Sequence, residues 1–266
     1  MSEKWTPPVI SAFATAIQQQ YLEAFKPLAE QIRPFGFAAD GLNRALLPEN
    51  LQPLHDQIRA GDALAIMRSE GIPLAPVPRA EVALDLLGAE DLAARRAILA
   101  DRASEIAEDC RGVLAELRHG DQLADLVAYA VEGSAALVGG SPAAAQALFS
   151  VIVTTVVDNL DLADDEAWKA AMRVKAGEAG RAELVDMPAA MDELAVWEFW
   201  VAAPLWHAFP SVDFRSGAQL PDRWSRHASI HDVSSVHYNL ENAVIAMMFT
   251  TALLYFVGPS TADQEQ

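Results

Sequence analysis

The sequence predicts an all-α protein: a helical bundle preceded by an N-terminal extension that is only partly helical. Three observations carry that prediction. Apolar residues recur on a helical period through most of the chain. Residues that start and stop helices bracket those periodic stretches. The one strongly β-branched run, Val151-Ile152-Val153-Thr154-Thr155-Val156-Val157, has no second strand-like run to pair with, so it reads as buried helix.

In chain order, Phe13, Ile17, Tyr21, Phe25 and Leu28 space a helix over 12–33, kinked at Pro27 and stopped by Pro34-Phe35-Gly36. Between Leu46 and Pro78 the prolines at 48, 53, 73, 76 and 78 allow only short helices, around 51–59 and 62–70. The stretch Gly71-Ile72-Pro73-Leu74-Ala75-Pro76-Val77-Pro78 is extended. A helix then runs from Arg79 to Leu87, and a long amphipathic helix from Glu90 to Leu117, ended by His119-Gly120. Asp121 caps a helix over 122–138 that stops at Gly139-Gly140. Ser141-Pro142 opens the next, 143–160, in the order N-cap then N1. The acidic section 158–166 lacks the glycine and terminal glutamate of a calcium loop and reads as a solvated connection. Ala190 to Phe209 is an aromatic-rich helix with Trp197, Phe199, Trp200 and Trp206, kinked at Pro204. Asn239 caps the last helix, which ends at Val257. The chain divides into an extension (1–91), a bundle (92–258) and a small polar tail (259–266) expected to fray.

Composition bounds the function. At 266 residues, 52% hydrophobic and 21% charged, the chain can bury a sizeable core without staples. A single cysteine, Cys110, excludes an intrachain disulfide, and its spacing with Ile106, Val113 and Leu114 places it in a helix face of the core. The net charge of −18 disfavours general binding to nucleic acid or to anionic membrane. No basic region followed by an apolar core opens the chain, and the apolar run 243–257 falls short of the roughly 20 residues that span a bilayer. These features predict a cytoplasmic protein with no membrane partner.

Polar chemistry concentrates at Arg226-His227-Ala228-Ser229-Ile230-His231, just before the last apolar helix. Arginine keeps its charge and forks onto phosphate oxygens, while histidine titrates near neutrality and moves protons. Together they suit phosphoryl chemistry without a metal: histidine takes the 2′-OH proton of RNA and arginine stabilises the charge growing on phosphorus. DNA, lacking that hydroxyl, would not be cut. On a continuous helix Arg226 and His231 stand about 140° apart, so they converge only if the helix begins or bends between them or if two copies meet. His227 and His231 share a face.

This segment, followed by a loop and a long apolar helix, resembles the R-x4–6-H signature of the HEPN superfamily, which falls near the final helices of an all-α bundle. The resemblance covers residues 92 to 257 and none of the extension. It implies a homodimer with the motif lining a shared cleft. It also implies a metal-independent endoribonuclease of toxin–antitoxin or phage-defence type, or else an inactive scaffold of the same fold. By position Arg226 would stabilise phosphate, His231 would be the general acid or base, and His227 would be the polar second residue, commonly Asn in the family. Arg215, Arg223 and His237 are candidate substrate contacts beside the motif. No cofactor is implied; RNA, weakly or selectively bound, and a regulatory or antitoxin-like protein are the expected partners.

Three other readings use the same residues. His227 and His231 have metal-ligand spacing, although Ala228 stands where a zinc protease carries its glutamate. Paired with Asp222, Asp232 or Glu241, the cations could instead form the polar collar of a helix junction in an interaction module. A mononucleotide site finds no Gly-rich phosphate loop, since Gly139-Gly140-Ser141 is not followed by lysine.

Overall fold

The computed structural model describes residues 39–117, 121–159, 200–201, 203–208 and 220–258. Among these residues every regular element is helical, and the all-α expectation holds. The expected helix over 12–33, the acidic section from residue 160, most of the aromatic-rich stretch, Arg215 and the tail lie outside the described residues.

The order is α1 (Ala39–Leu46), a 3-10 turn (Glu49–Leu54), α2 (Ala60–Glu70), α3 (Ala80–Gly88), α4 (Leu92–Asp101), α5 (Ala103–Glu116), α6 (Asp121–Val138), α7 (Pro142–Asn159), α8 (Leu205–Ala208), α9 (Arg226–His231) and α10 (Leu240–Val257). The organising element is α10. Every residue from Asn242 to Leu254 is buried, and the helix packs on α4, α5, α6 and α7. Its 18 residues are long and apolar enough to cross a membrane, yet 72% of that span is buried inside this protein. A helix apolar all round must be covered all round, and here neighbouring helices do the covering.

Local signals set the ends of these helices. Asp91 Oδ1 accepts from the Ala94 amide at 2.8 Å to open α4. Gly140, at φ +83°, ends α6 in a Schellman arrangement, with the Ser141 amide on the Ala136 carbonyl and the Gly140 amide on the Leu137 carbonyl. Asn239 Oδ1 caps α10 through the Asn242 amide at 2.9 Å. One expectation is corrected. The single helix over 90–117 is two, because the chain bends at Arg102 (φ −99°, ψ 11°). Arg102 forks Glu105 and reaches Asp85 with its remaining nitrogen. The bend sends α4 to the start of α10, where Arg96 binds both Asn239 and Asn242.

The stretch 71–78 is extended, as its prolines require, with cis bonds at Ala75-Pro76 and Val77-Pro78. Asn50 holds it by donating to the Leu74 and Pro78 carbonyls. Its apolar residues Ile72, Leu74 and Val77 join one hydrophobic cluster that runs from Leu46 to Leu254. Trp200 adds its ring to this cluster and donates its indole N–H to the Leu46 carbonyl at 3.0 Å.

Gly71, at φ +74°, lies under His207: a Cβ there would stand 2.6 Å from the His207 Cβ. The His207 Nε2–H donates to the Arg68 carbonyl at 2.7 Å. Burial, and then the nearby Arg223 charge, push His207 down to about 4. The unfolded chain therefore binds a proton that the folded chain refuses between about pH 6.5 and 4. Stability is unaffected by His207 above that window and falls by about 3 kcal/mol on descending through it. Denaturant titrations at pH 7 and pH 4 should show this as a difference between wild type and His207→Gln, whose own pH dependence should be shallower.

Candidate functional site

The segment Arg226–His231 folds as one unbroken short helix, α9, opened by Ser225, whose Oγ accepts from the Ala228 amide at 3.3 Å. A polar stripe on α7 receives it. Gln146, Ser150 and Thr154 follow one another at intervals of four and so share a face of α7. The Trp224 indole N–H donates to Ser150 Oγ at 3.1 Å, and its ring lies 5.3 Å from that of Phe249. Arg226 donates through Nη1 to Thr154 Oγ1 at 3.2 Å. Gln146 Nε2 donates to Ser229 Oγ at 3.0 Å and to the His237 carbonyl at 3.2 Å. Each stripe residue thus fastens a different point of the segment 224–237.

His237, expected to contact substrate, is instead fully buried. Its Nδ1 faces the Pro221 carbonyl at 3.0 Å, and a carbonyl only accepts, so the proton sits on Nδ1. Nε2 is then the acceptor for Ser229 Oγ–H at 2.9 Å. A serine on a histidine that a third group orients has the form of a nucleophile–base pair. Here Ser229 is only 5% exposed and His237 0%, which closes the pair to any substrate. It acts as a latch between α9 and the loop that follows it. Asn242 completes the latch by donating to the Asp222 and His237 carbonyls at 2.9 and 2.7 Å, and the Tyr238 hydroxyl donates to the Ser229 carbonyl.

The outward residues of α9 are of a different kind. His227 is half-buried, His231 is exposed, and their rings lie 4.6 Å apart, tilted by 54°. The shared face expected from their spacing is therefore present as a ring contact. Arg226 and His231 are both inside the continuous helix, so no bend brings them together, and Arg226 turns to α7. Arg223 is exposed on the preceding loop, close enough to influence His207. Among the described residues no cluster of three or more His, Cys, Asp or Glu side chains is placed to hold a metal. Cys110 is buried in α5 with its thiol pushed up to about 12 by desolvation, which removes it as a nucleophile.

The residue pattern points to α9 but not to what holds it: Gln146, Ser150, Thr154, Ser229 and Asn242. The interval of four along α7 was the available signal, hidden among β-branched and apolar neighbours. Compared with known protein families, curated proteins and solved structures, the chain matches none of them.

Proposed function

We propose that this chain is a HEPN-like, metal-independent endoribonuclease, with His231 and His227 as its proton-transfer groups and Arg226 as its phosphate-stabilising charge. The observation that supports this reading is the 4.6 Å approach of the two imidazoles on the helix that also carries Arg226. One imidazole, unprotonated, takes the 2′-OH proton as that oxygen attacks phosphorus. The other, protonated, delivers a proton to the departing 5′-oxygen. The products are a 2′,3′-cyclic phosphate and a 5′-hydroxyl. Because Arg226 and His231 stand about 140° apart on α9, a second copy across a shared cleft supplies the missing convergence in this reading. A homodimer, a cytoplasmic setting in a toxin or phage-defence system and a regulatory or antitoxin-like partner belong to the same proposal. Arg215 and Arg223 remain its substrate contacts. The acidic body makes RNA binding selective, and steering weakens further at high salt.

The test is incubation of purified protein with single-stranded and transfer RNA in EDTA, beside a DNA oligonucleotide of matching sequence. Cleavage of RNA alone, with 2′,3′-cyclic phosphate ends, is the expected result. Equal cleavage of DNA would remove the 2′-OH mechanism.

A second reading, a helical scaffold without catalysis, draws on one specific observation: Arg226 is bonded to Thr154 and so fastens α9 to α7. Under it wild type cleaves no RNA, and Arg226→Ala lowers the denaturation midpoint without removing any activity.

A further inference from the structure

We propose that His227 and His231 form a two-ligand site for a divalent transition-metal ion of the Cu²⁺, Ni²⁺ and Zn²⁺ group, and that its occupation switches off proton transfer by the pair. The spacing of two histidines at an interval of four is common, and by itself it says nothing about a site. The tertiary structure adds that the segment is helical, that it is held helical at both ends, and that the two rings meet. Ser225 caps the start of α9, the Asp232 amide returns to the Ala228 carbonyl at its end, and Ser229 is latched to Gln146 and His237 between them. The two imidazoles therefore approach one another on a fixed backbone, with ring centroids 4.6 Å apart. This lowers the ordering entropy that a flexible pair would lose on binding.

The donor set decides the class of ion. Imidazole nitrogen suits copper, nickel and zinc, whereas magnesium and calcium require oxygen ligands. Asp232, whose Oδ1 accepts from the Val233 amide at 2.7 Å, adds a negative charge beside the pair. With two protein ligands, the remaining coordination positions go to water or to a phosphate oxygen, so the site is exchangeable rather than structural. The net charge of −18 favours cations around the whole chain. A bound ion takes one ring nitrogen of each histidine out of proton transfer. The site itself stands without the ribonuclease reading; only its inhibitory effect rests on that reading.

The experiment is calorimetric titration of the full chain with Cu²⁺, Ni²⁺, Zn²⁺ and Mg²⁺, paired with thermal melts at each ion concentration. One ion per chain is expected, tightest for Cu²⁺, with no effect of Mg²⁺. Binding should raise the melting temperature, because the ion ties two successive turns of α9. His227→Ala and His231→Ala should each weaken binding by about tenfold or more, since the loss of even an outer-shell partner of a metal costs that much. His55→Ala, which alters a half-buried histidine beside Asp56, should bind as wild type does. Affinity unchanged in both α9 variants, or lost in His55→Ala, overturns the site, as does the absence of any transition-metal binding. Circular dichroism of each variant verifies that α9 substitutions have not unfolded the protein. In the RNA assay Zn²⁺ should inhibit and EDTA restore cleavage. Undiminished cleavage with the site saturated overturns the inhibitory role, while RNA that is never cut counts against the ribonuclease reading and leaves the titration to decide the site.

Discussion

Under the proposed ribonuclease function, alanine at His231 is expected to slow RNA cleavage by about 10²–10⁴-fold, the usual range for removing a positioned general acid or base. The loss should fall on kcat and on kcat/KM together, because the imidazole acts in the transition state rather than in binding. His227→Ala should lose activity in the same range, and the double variant should lose much less than the product of the two, since the rings act as a unit. His231→Ala removes an exposed ring that contacts His227, so a small loss of stability is expected and is read from its melting temperature. Arg226→Ala differs, for it removes the bond to Thr154 and should reduce activity and stability together. Single-turnover cleavage and denaturant titration of the same preparations separate the two effects. Cleavage that survives in both histidine variants would assign the activity elsewhere.

Alanine at Arg95 is expected to destabilise the fold by about 3–5 kcal/mol, as the breaking of buried ion pairs generally does. Arg95 is 8% exposed. Its Nε and Nη2 fork onto the Glu70 carboxylate at 2.7 and 2.9 Å, and Nη1 donates to the Ala89 carbonyl. The fork joins α2 to α4, and hence the proline-rich stretch to the bundle. Without it the Glu70 carboxylate, itself largely buried, keeps the desolvation cost and loses the partner that offsets it. Arg95→Lys should recover only part, because an ammonium group does not reproduce the planar two-point contact. Replacing both partners, as Arg95→Met with Glu70→Leu, should be milder than Arg95→Ala alone, since no unpaired charge then remains. A loss below about 1 kcal/mol in Arg95→Ala would show that water reaches the pair and that it behaves as a surface contact.

The pattern of what was legible in the residues follows interaction range. Asn239 as a cap, Gly140 as a stop and Ser141-Pro142 as a start act within four or five residues, and each stands where expected. Pro204 likewise interrupts the chain before α8, in the turn at Ala203–Pro204. The Val151–Val157 run is helix: among the described residues no strand pairs with it, and α10 covers its apolar face. The bend at Arg102 was not legible, since apolar periodicity continues across it and only the separate packing of α4 and α5 breaks it.

At the candidate site the same division holds. From the residues alone, Arg226, His227 and His231 lie together, the histidines share a helical face, and an apolar helix follows. Those are consequences of local spacing. Which of these side chains turns outward was decided only by the tertiary structure. Thr154 draws Arg226 toward α7, and Gln146 and Pro221 draw Ser229 and His237 into a closed network, leaving His231 exposed. His237 looked as available as His231 in the sequence. It is buried because a histidine with a carbonyl on one nitrogen and a hydroxyl on the other can enter the core with both polar atoms satisfied, and those partners, Pro221 and Ser229, lie 16 and 8 residues back in the chain, beyond what helical periodicity reveals.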